Sequence, residues 1–260
     1  MTAPSEAATP AQHLAVLTLS VALIGGLVAC SGPTTTSTPT PNSGAAGCLR
    51  DDGGCLGALS AGEYESVHFD PFRTEEPGQL RYTVDDSWAN SLDHRNGFFL
   101  HPVDAYLAGE NEGGDHWGGV FIWAYAALAV QDGSCAEAPQ PGVGTDAASI
   151  AAALHEIPGL TLTDLPNATV GGYPAIVFET EVAPGAPGCD DGYIPLIASR
   201  EGSGDPFLWA TGEHEGLRGY LVDLGDDLTL AIMVNGPRAD IDVLVAAAED
   251  LIEDFELVGG

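Results

Sequence analysis

The sequence predicts a fold of the α+β class, in which helices are packed on a sheet. Short segments rich in β-branched and aromatic residues, bounded by Gly, Pro or Asp, predict more strand than helix. Gly118 to Val130 is apolar on both faces, which is typical of a central strand that is covered on two sides. The segment after Ile241 repeats apolar residues at helical spacing, so it is a candidate for one of the covers.

Eight segments predict strands, and the last two of them form a hairpin. Gly225, Asp226 and Asp227 join these two, and such a connection is typical of a hairpin turn. The predicted strands are Glu63 to Phe69, Leu80 to Val84, Gly97 to Leu100, Gly118 to Val130, Tyr173 to Thr180, Phe207 to Ala210, Gly219 to Leu224 and Leu228 to Asn235.

Two segments predict helices. Asp146 to Glu156 has Thr145 as a candidate cap and Pro158-Gly159 as its stop. The C-terminal helix has an apolar stripe, which we expect to lie on the sheet because no basic residue follows Arg238 to favour a membrane surface. The stripe consists of Ile241, Leu244, Val245, Ala248, Leu251, Ile252 and Phe255.

Residues 1–29 are predicted to be a lipoprotein signal peptide. Leu14 to Val28 is apolar but shorter than the ~20 residues that a membrane-spanning helix needs. The segment ends in Leu27-Val28-Ala29-Cys30, which resembles a lipobox. We therefore expect cleavage before Cys30 and attachment of a lipid to its thiol, with palmitate among the acyl chains. Met1 to Leu49 has no basic residue, so either the true start lies elsewhere or insertion depends on hydrophobicity alone. The competing interpretation is a buried helix that ends in a chance cysteine.

Residues 30–46 are predicted to be a linker between the lipid and the domain. After Cys30 the segment is nearly all Ser, Thr, Pro, Gly and Ala, so it has no large apolar group to bury. An extended polyproline-like chain of this length reaches about 50 Å at ~3.1 Å per residue. Residues 47–260 then form a single α+β domain.

The chain is strongly acidic. It has 38 acidic residues against 7 basic ones, all Arg, for a net charge of −31. Such a surface repels phosphate backbones, so nucleic acid is excluded as a partner, and basic ligands or divalent cations suit it better. The alternative is that the charge only keeps the protein soluble.

The sequence carries no recognisable catalytic motif. Without lysine, Schiff-base enzymes, P-loop enzymes and Ser-x-x-Lys hydrolases are excluded. There is no dinucleotide-binding glycine motif, no H-E-x-x-H helix and no G-x-S-x-G elbow. We therefore expect no cofactor and no enzymatic activity.

Four cysteines remain once Cys30 is assigned to the lipid, and they permit three disulfide connectivities. Cys48 and Cys55 enclose a turn-rich hexapeptide, so a local bridge between them is easy to form. Cys135 and Cys189 would then pair across the domain. An even cysteine number agrees with an oxidising compartment outside the cytoplasm.

Candidate binding residues are few. Asp190 and Asp191 lie beside Cys189 and could supply oxygen ligands to calcium, while His214 lies between two glutamates in a loop. Acidic turns and solvated loop histidines explain them equally well. A further hypothesis is an apolar pocket lined by Trp88, Phe98, Phe99, Trp117 and Trp123, with core packing as the alternative.

Several phrases resemble those of actinobacterial secreted lipoproteins with a PsbP-like domain. They are Ala61-Gly62-Glu63-Tyr64 with Phe69-Asp70-Pro71, Tyr82-Thr83-Val84 with Trp88, Val170-Gly171-Gly172-Tyr173-Pro174-Ala175, and Arg218-Gly219-Tyr220-Leu221-Val222-Asp223. The resemblance spans about Gly62 to Val258 and implies an antiparallel sheet with helices packed on it. It implies a non-enzymatic accessory or binding role and brings no catalytic residues.

Two functions from different classes follow. The first is a lipoprotein of the extracytoplasmic face of the cell membrane, tethered through Cys30, that binds a ligand or another envelope protein. The second is an exported hydrolase with a scattered active site. The second requires either paired carboxylates or a scattered triad, in which a His meets a Ser or Cys nucleophile and an acid in one cleft.

Overall fold

The computed structural model describes residues 56–72, 74–112, 118–189, 192–200 and 206–259, with the side chains of 110–112 excepted. The first half of these residues contains β1 (Gly57–Ala58), β2 (Gly62–Glu65), β3 (Gln79–Val84), β4 (Trp88–Asp93), β5 (Gly97–Pro102), α1 (Val103–Glu112), β6 (Gly119–Trp123), β7 (Ala126–Leu128) and α2 (Ala147–Leu154). The second half contains β8 (Leu160–Asp164), β9 (Ala168–Val170), β10 (Tyr173–Val182), β11 (Ile194–Ser199), β12 (Leu208–Thr211), β13 (Glu215–Asp223), β14 (Thr229–Pro237), α3 (Ile241–Glu253) and β15 (Glu256–Val258).

The strands form one large sheet and two small ones. The large sheet has the order β1-β4-β5-β6-β14-β13-β10-β8, and β9 also pairs with β10. The small sheets have the orders β12-β11-β7 and β15-β3-β2. All of these pairs are antiparallel, and helices α2 and α3 pack on strands of the large sheet. The predicted α+β fold, an antiparallel sheet with helices packed on it, is confirmed.

Strand β6 is covered on both faces, as the sequence predicted. Val120 and Ile122 belong to a core that includes α3. Phe121 and Trp123 point the other way, into a second core that includes α2 and β11. Side chains alternate between the faces of a strand, so a strand that is apolar at every position requires a cover on each side.

The prediction of one continuous strand over Gly118 to Val130 is wrong, because the chain turns at Tyr125. Tyr125 has a φ of 60°, a left-handed conformation that interrupts strand geometry between β6 and β7. The buried Tyr125 hydroxyl lies 2.9 Å from the carbonyl oxygen of Asp70 and 3.0 Å from that of Phe72. These contacts hold the turn, and β7 leaves the large sheet to pair with β11.

The cap of helix α2 is also not the one predicted. Asp146, not Thr145, caps the helix, and its carboxylate accepts a hydrogen bond of 2.9 Å from the backbone N–H of Ser149. The Thr145 hydroxyl instead donates to the carbonyl oxygen of Asp227 at 2.7 Å. This bond ties the start of α2 to the predicted turn between β13 and β14.

The predicted bridge between Cys135 and Cys189 is present in the structure, where their Cα atoms lie 5.8 Å apart. It joins the loop after β7 to the segment before β11, two neighbours in the same small sheet. The predicted Cys48–Cys55 bridge lies outside the described residues and stays a prediction, as do lipidation at Cys30 and the assignments of residues 1–29 and 30–46. None of the helices in the described ranges is long and apolar enough to cross a bilayer.

The first predicted strand, Glu63 to Phe69, is shorter in the structure because of hydrogen bonds to Asp93. Its buried carboxylate accepts hydrogen bonds from the backbone N–H groups of Val67 at 2.7 Å, His68 at 3.0 Å and Phe69 at 2.9 Å. These three groups therefore bond to a side chain and not to a neighbouring strand. The segment after Glu65 consequently runs as a loop, although the sequence predicted a strand as far as Phe69.

We expect Asp93→Asn to lower the free energy of unfolding by about 2 to 3 kcal/mol, because one of the two acceptor oxygens becomes a donor that faces the backbone N–H groups of Val67 to Phe69. Urea unfolding of the purified domain measures this change. Asp86→Asn, at an exposed position, is the matched control and should shift stability by less than about 0.5 kcal/mol. Equal stability of the two variants would contradict the structural role of Asp93.

Candidate functional site

One candidate site among the described residues is a groove of about 230 Å³ between the start of helix α3 and strands β8, β10 and β13. We call it the α3 groove. It is lined by Thr163, Glu179, Thr180, Glu181, Gly216, Leu217, Arg218, Arg238, Ile241, Asp242 and Val245. The lining combines charged side chains from the strands with apolar side chains from the helix.

Strand register brings the charged groups of the α3 groove together. Glu179 lies directly opposite Arg218 of β13 on one side and Thr163 of β8 on the other. Glu181 is two residues further along β10, so its side chain is on the same face as that of Glu179. Three neighbouring strands therefore present polar groups in one row beneath the helix.

A glycine allows the helix to start close to the sheet. A Cβ atom at Gly216 would lie 2.7 Å from the Cβ atom of Ile241, which is closer than real Cβ atoms approach. Gly216 therefore sets how near Ile241 and the first turn of α3 come to β13. Both Gly216 and Ile241 line the α3 groove.

Arg218 lies between two carboxylates. Its Nη2 atom is 2.5 Å from the Glu179 Oε1 atom, and its Nη1 atom pairs with Glu249 of α3. Burial works to lower the pKa of Arg218, but the hydrogen bond and the charge of Glu179 outweigh it, so the pKa lies above its ordinary value. Arg218 is thus a permanent cation that fixes the position of both glutamates.

The carboxylates around the α3 groove remain open to solvent. The exposed fraction of the side chain is 43% for Glu179, 70% for Glu181 and 47% for Glu249. Arg238 pairs with Glu181 at 2.9 Å. Asp242 is also exposed and lines the groove. These three lining carboxylates and Glu249 carry four negative charges against the two positive charges of Arg218 and Arg238, so the local net charge is −2. The arrangement can accept hydrogen bonds from a cationic ligand.

Of the three predicted metal ligands, His214 alone lies within the described residues. His214 is exposed in the turn between β12 and β13, where its backbone carbonyl accepts a hydrogen bond of 2.9 Å from the backbone N–H of Arg238. Asp190 and Asp191 lie outside the described residues. In the part of the chain that the structure describes, no three His, Cys, Asp or Glu side chains are placed to hold a metal ion. The backbone of His214 is therefore bonded to that of Arg238, which lines the α3 groove.

The five aromatic residues proposed to line one apolar pocket are divided between two cores. Trp88 and Phe98 belong to the core under α3, whereas Phe99 and Trp123 belong to the opposite one. Trp117 lies outside the described residues. The hypothesis of a single pocket formed by this set is wrong for its four described members, because they alternate between the two faces of the large sheet.

A second polar arrangement, around His101, was not identified from the sequence. His101 is fully buried on β5. Its Nε2 atom lies 2.8 Å from the hydroxyl oxygen of Ser91, and its Nδ1 atom lies 3.1 Å from the carbonyl oxygen of Gly118. Burial lowers the pKa of His101, and the hydrogen bond to Gly118 works against this effect without cancelling it. His101 is therefore neutral at pH 7.

Comparison with solved structures gives a distant likeness. The structure is similar to the crystal structure of LpqN, which is involved in cell envelope biogenesis of Mycobacterium tuberculosis, with a TM-score of 0.37 and 14% sequence identity. The match covers 76% of this chain and 92% of the LpqN chain. No family model and no curated protein matches the sequence. The PsbP-like resemblance stays a prediction.

We expect the stability contribution of His101 to be lost in acid. Its pKa is below the ordinary value of about 6.5 in the folded protein only, so below about pH 6.5 the unfolded chain binds a proton that the folded chain does not. The free energy of unfolding of the wild type should therefore fall relative to that of His101→Gln between about pH 7.5 and pH 5. Urea unfolding at a series of pH values measures this difference, and a constant difference would contradict the buried neutral imidazole.

Proposed function

We propose that this chain is a lipid-anchored binding protein of the extracytoplasmic face of the cell membrane, and that the α3 groove holds a basic segment of an envelope partner. The observation that carries the proposal is the excess of solvent-accessible carboxylates at the groove: three line it and a fourth, Glu249, pairs with Arg218, which leaves a local net charge of −2. The net charge of −31 over the whole chain adds a long-range attraction for the same kind of partner.

The geometry of the α3 groove favours basic side chains over a bare metal ion. Arg218 lies between Glu179 and Glu249, so the positive guanidinium group occupies the place where a metal ion would bridge these two carboxylates. Lysine or arginine side chains can instead bind the outer oxygens of the carboxylates one at a time, as donors to charged acceptors. A divalent cation remains a separate outcome of the binding experiment below.

The predicted anchor and linker suit this role. A lipid on Cys30 would hold the chain at the membrane, and the Ser, Thr and Pro-rich residues that follow would let the domain reach a partner about 50 Å away at ~3.1 Å per residue. A tethered domain meets envelope partners at a high effective concentration, so modest affinity for a basic segment is sufficient.

We expect Cys30→Ala to release the protein from the membrane. The full chain, expressed in a bacterium that processes lipoproteins, should partition into detergent as the wild type and into the aqueous phase as the variant, because one thiol carries the lipid. Cys48→Ala is the matched control and should stay in the detergent phase. The anchor is disproved if Cys30→Ala still partitions into detergent or if intact mass shows that the exported wild type keeps Met1.

We expect removal of groove charge to weaken binding of a pentalysine peptide. Glu181→Gln combined with Asp242→Asn should lower the affinity roughly fivefold, since two exposed charge interactions contribute on the order of 0.5 kcal/mol each. Titration calorimetry of the full chain measures this, and affinity should fall between about 0.05 and 0.15 M salt as exposed charges are screened.

A second double variant separates the α3 groove from the overall charge. Glu137→Gln combined with Glu156→Gln also removes two negative charges, but at exposed positions that do not line the groove. It should bind pentalysine almost as tightly as the wild type. Equal weakening by both double variants would place binding on the general acidic surface, and binding of calcium alone would favour the divalent-cation alternative.

A further inference from the structure

Ser91 lies at an irregularity of strand β4. Asn90 pairs with Leu100 of β5 and Leu92 pairs with Phe99, so Ser91 is an extra residue without a register partner. Such bulges redirect a side chain from its regular position in the sheet. The Ser91 side chain is half-buried, and its hydroxyl reaches His101 of the neighbouring strand at 2.8 Å.

The hydrogen bonds of His101 fix which ring nitrogen carries the proton. The Gly118 carbonyl oxygen can only accept, so the Nδ1 atom at 3.1 Å is the protonated one. In a neutral ring the Nε2 atom is then the acceptor, and the Ser91 hydroxyl donates to it. The hydroxyl proton points to a base, and the lone pairs of the Ser91 oxygen point away from it.

The position of the His101 ring is fixed by its neighbours. A Cβ atom at residue 119 would lie 2.7 Å from the His101 Nδ1 atom, so the ring occupies space that only glycine leaves free. On its other side the ring meets Phe121 edge to face, with centroids 5.3 Å apart. A nucleophile, a base and a group that orients the base are thus present, and the Gly118 carbonyl group takes the orienting place that an acid has in a Ser-His-acid triad.

An aromatic row adjoins this pair. We define it as Phe121, Phe99 and Trp209, in which Phe121 lies 5.0 Å from Phe99 and 4.3 Å from Trp209 between ring centroids. Phe99 and Trp209 are half-buried, so part of the row is accessible to a ligand. The buried indole nitrogen of Trp209 has no hydrogen-bond partner among the described residues, which leaves one donor for a ligand acceptor. The row suits an apolar chain that ends in a polar group.

We propose that Ser91 is a nucleophile, activated by His101, that hydrolyses carboxylic esters with an apolar acyl group. The Ser91 oxygen forms a bond with the ester carbonyl carbon while its proton passes to the His101 Nε2 atom. The bond from that carbon to the alcohol oxygen then breaks, and the alcohol leaves with this proton. Water, deprotonated by His101, attacks the acyl group on Ser91 and releases the carboxylic acid and the free hydroxyl. This activity is independent of the α3 groove.

A fluorophosphonate probe tests the nucleophile in the unaltered full chain. Attack by Ser91 forms an oxygen–phosphorus bond and expels fluoride, so peptide mass analysis should place the adduct on Ser91. The wild type should also release p-nitrophenolate from p-nitrophenyl butyrate faster than from the acetate, since the longer acyl chain covers more of the aromatic row. Absence of an adduct, or an adduct on a different residue, would overturn the proposal.

Two variants test the roles of the pair. Ser91→Ala should abolish the adduct and reduce ester hydrolysis to the rate in buffer. His101→Gln keeps an acceptor beside Ser91 but cannot take up its proton, so hydrolysis should fall by about 100-fold while pentalysine binding reports that the domain is folded. Ser87→Ala, which removes an exposed hydroxyl bonded to Asp85, is the matched control and should leave the adduct and the rate unchanged. Equal rates for the wild type and either His101→Gln or Ser91→Ala would overturn the proposal.

Discussion

The fold depends on two central strands, β6 and β14, that are apolar on both faces. Leu230, Ile232 and Val234 of β14 enter the core under α3, and Ala231 and Met233 enter the opposite core. Burial of an aliphatic side chain contributes roughly 1.5 to 3 kcal/mol, so neither face can be left in water. Many antiparallel sheets are covered on one face and exposed to water on the other. For this sequence a cover on one face is therefore insufficient. Helix α3 supplies one layer, and helix α2 with the β12-β11-β7 sheet supplies the other.

The turn at Tyr125 makes the second layer possible. Because β7 follows β6 after only two residues, the chain must leave the large sheet abruptly, and the left-handed backbone of Tyr125 achieves this. The two carbonyl groups of the Asp70 to Phe72 segment hold its buried hydroxyl, and Asp93 in turn holds the preceding loop. The loop, the turn and the second sheet are thus mutually dependent, although they are far apart in sequence.

The sequence identified elements whose signal is local and missed those whose partners are distant. Residue spacing alone predicted three features: the apolar stripe of α3, the two apolar faces of β6 and the hairpin between β13 and β14. Strand β4 was missed because Trp88 to Asp93 contains Asn, Ser and Asp, whose places in it are set by contacts with β5 and the Asp93 loop. Strand β11 was missed because Pro195 interrupts a short apolar run, and the register shifts there. Both candidate sites combine residues from separate strands, so no spacing in the sequence could have indicated them.

The two-sided sheet also separates the two sites. The α3 groove is lined by Ile241 and Val245, which pack on the first core, whereas His101 contacts Phe121 of the second. Groups on opposite faces with no shared partner contribute nearly independently to stability and binding. The chemical environments differ accordingly. Charges around the groove are exposed and held by arginines, while the imidazole is buried, neutral and in contact with the ring of Phe121. Water and salt screen exposed charges over distances beyond about 8 Å, so the carboxylates around the α3 groove act mainly on groups close to them.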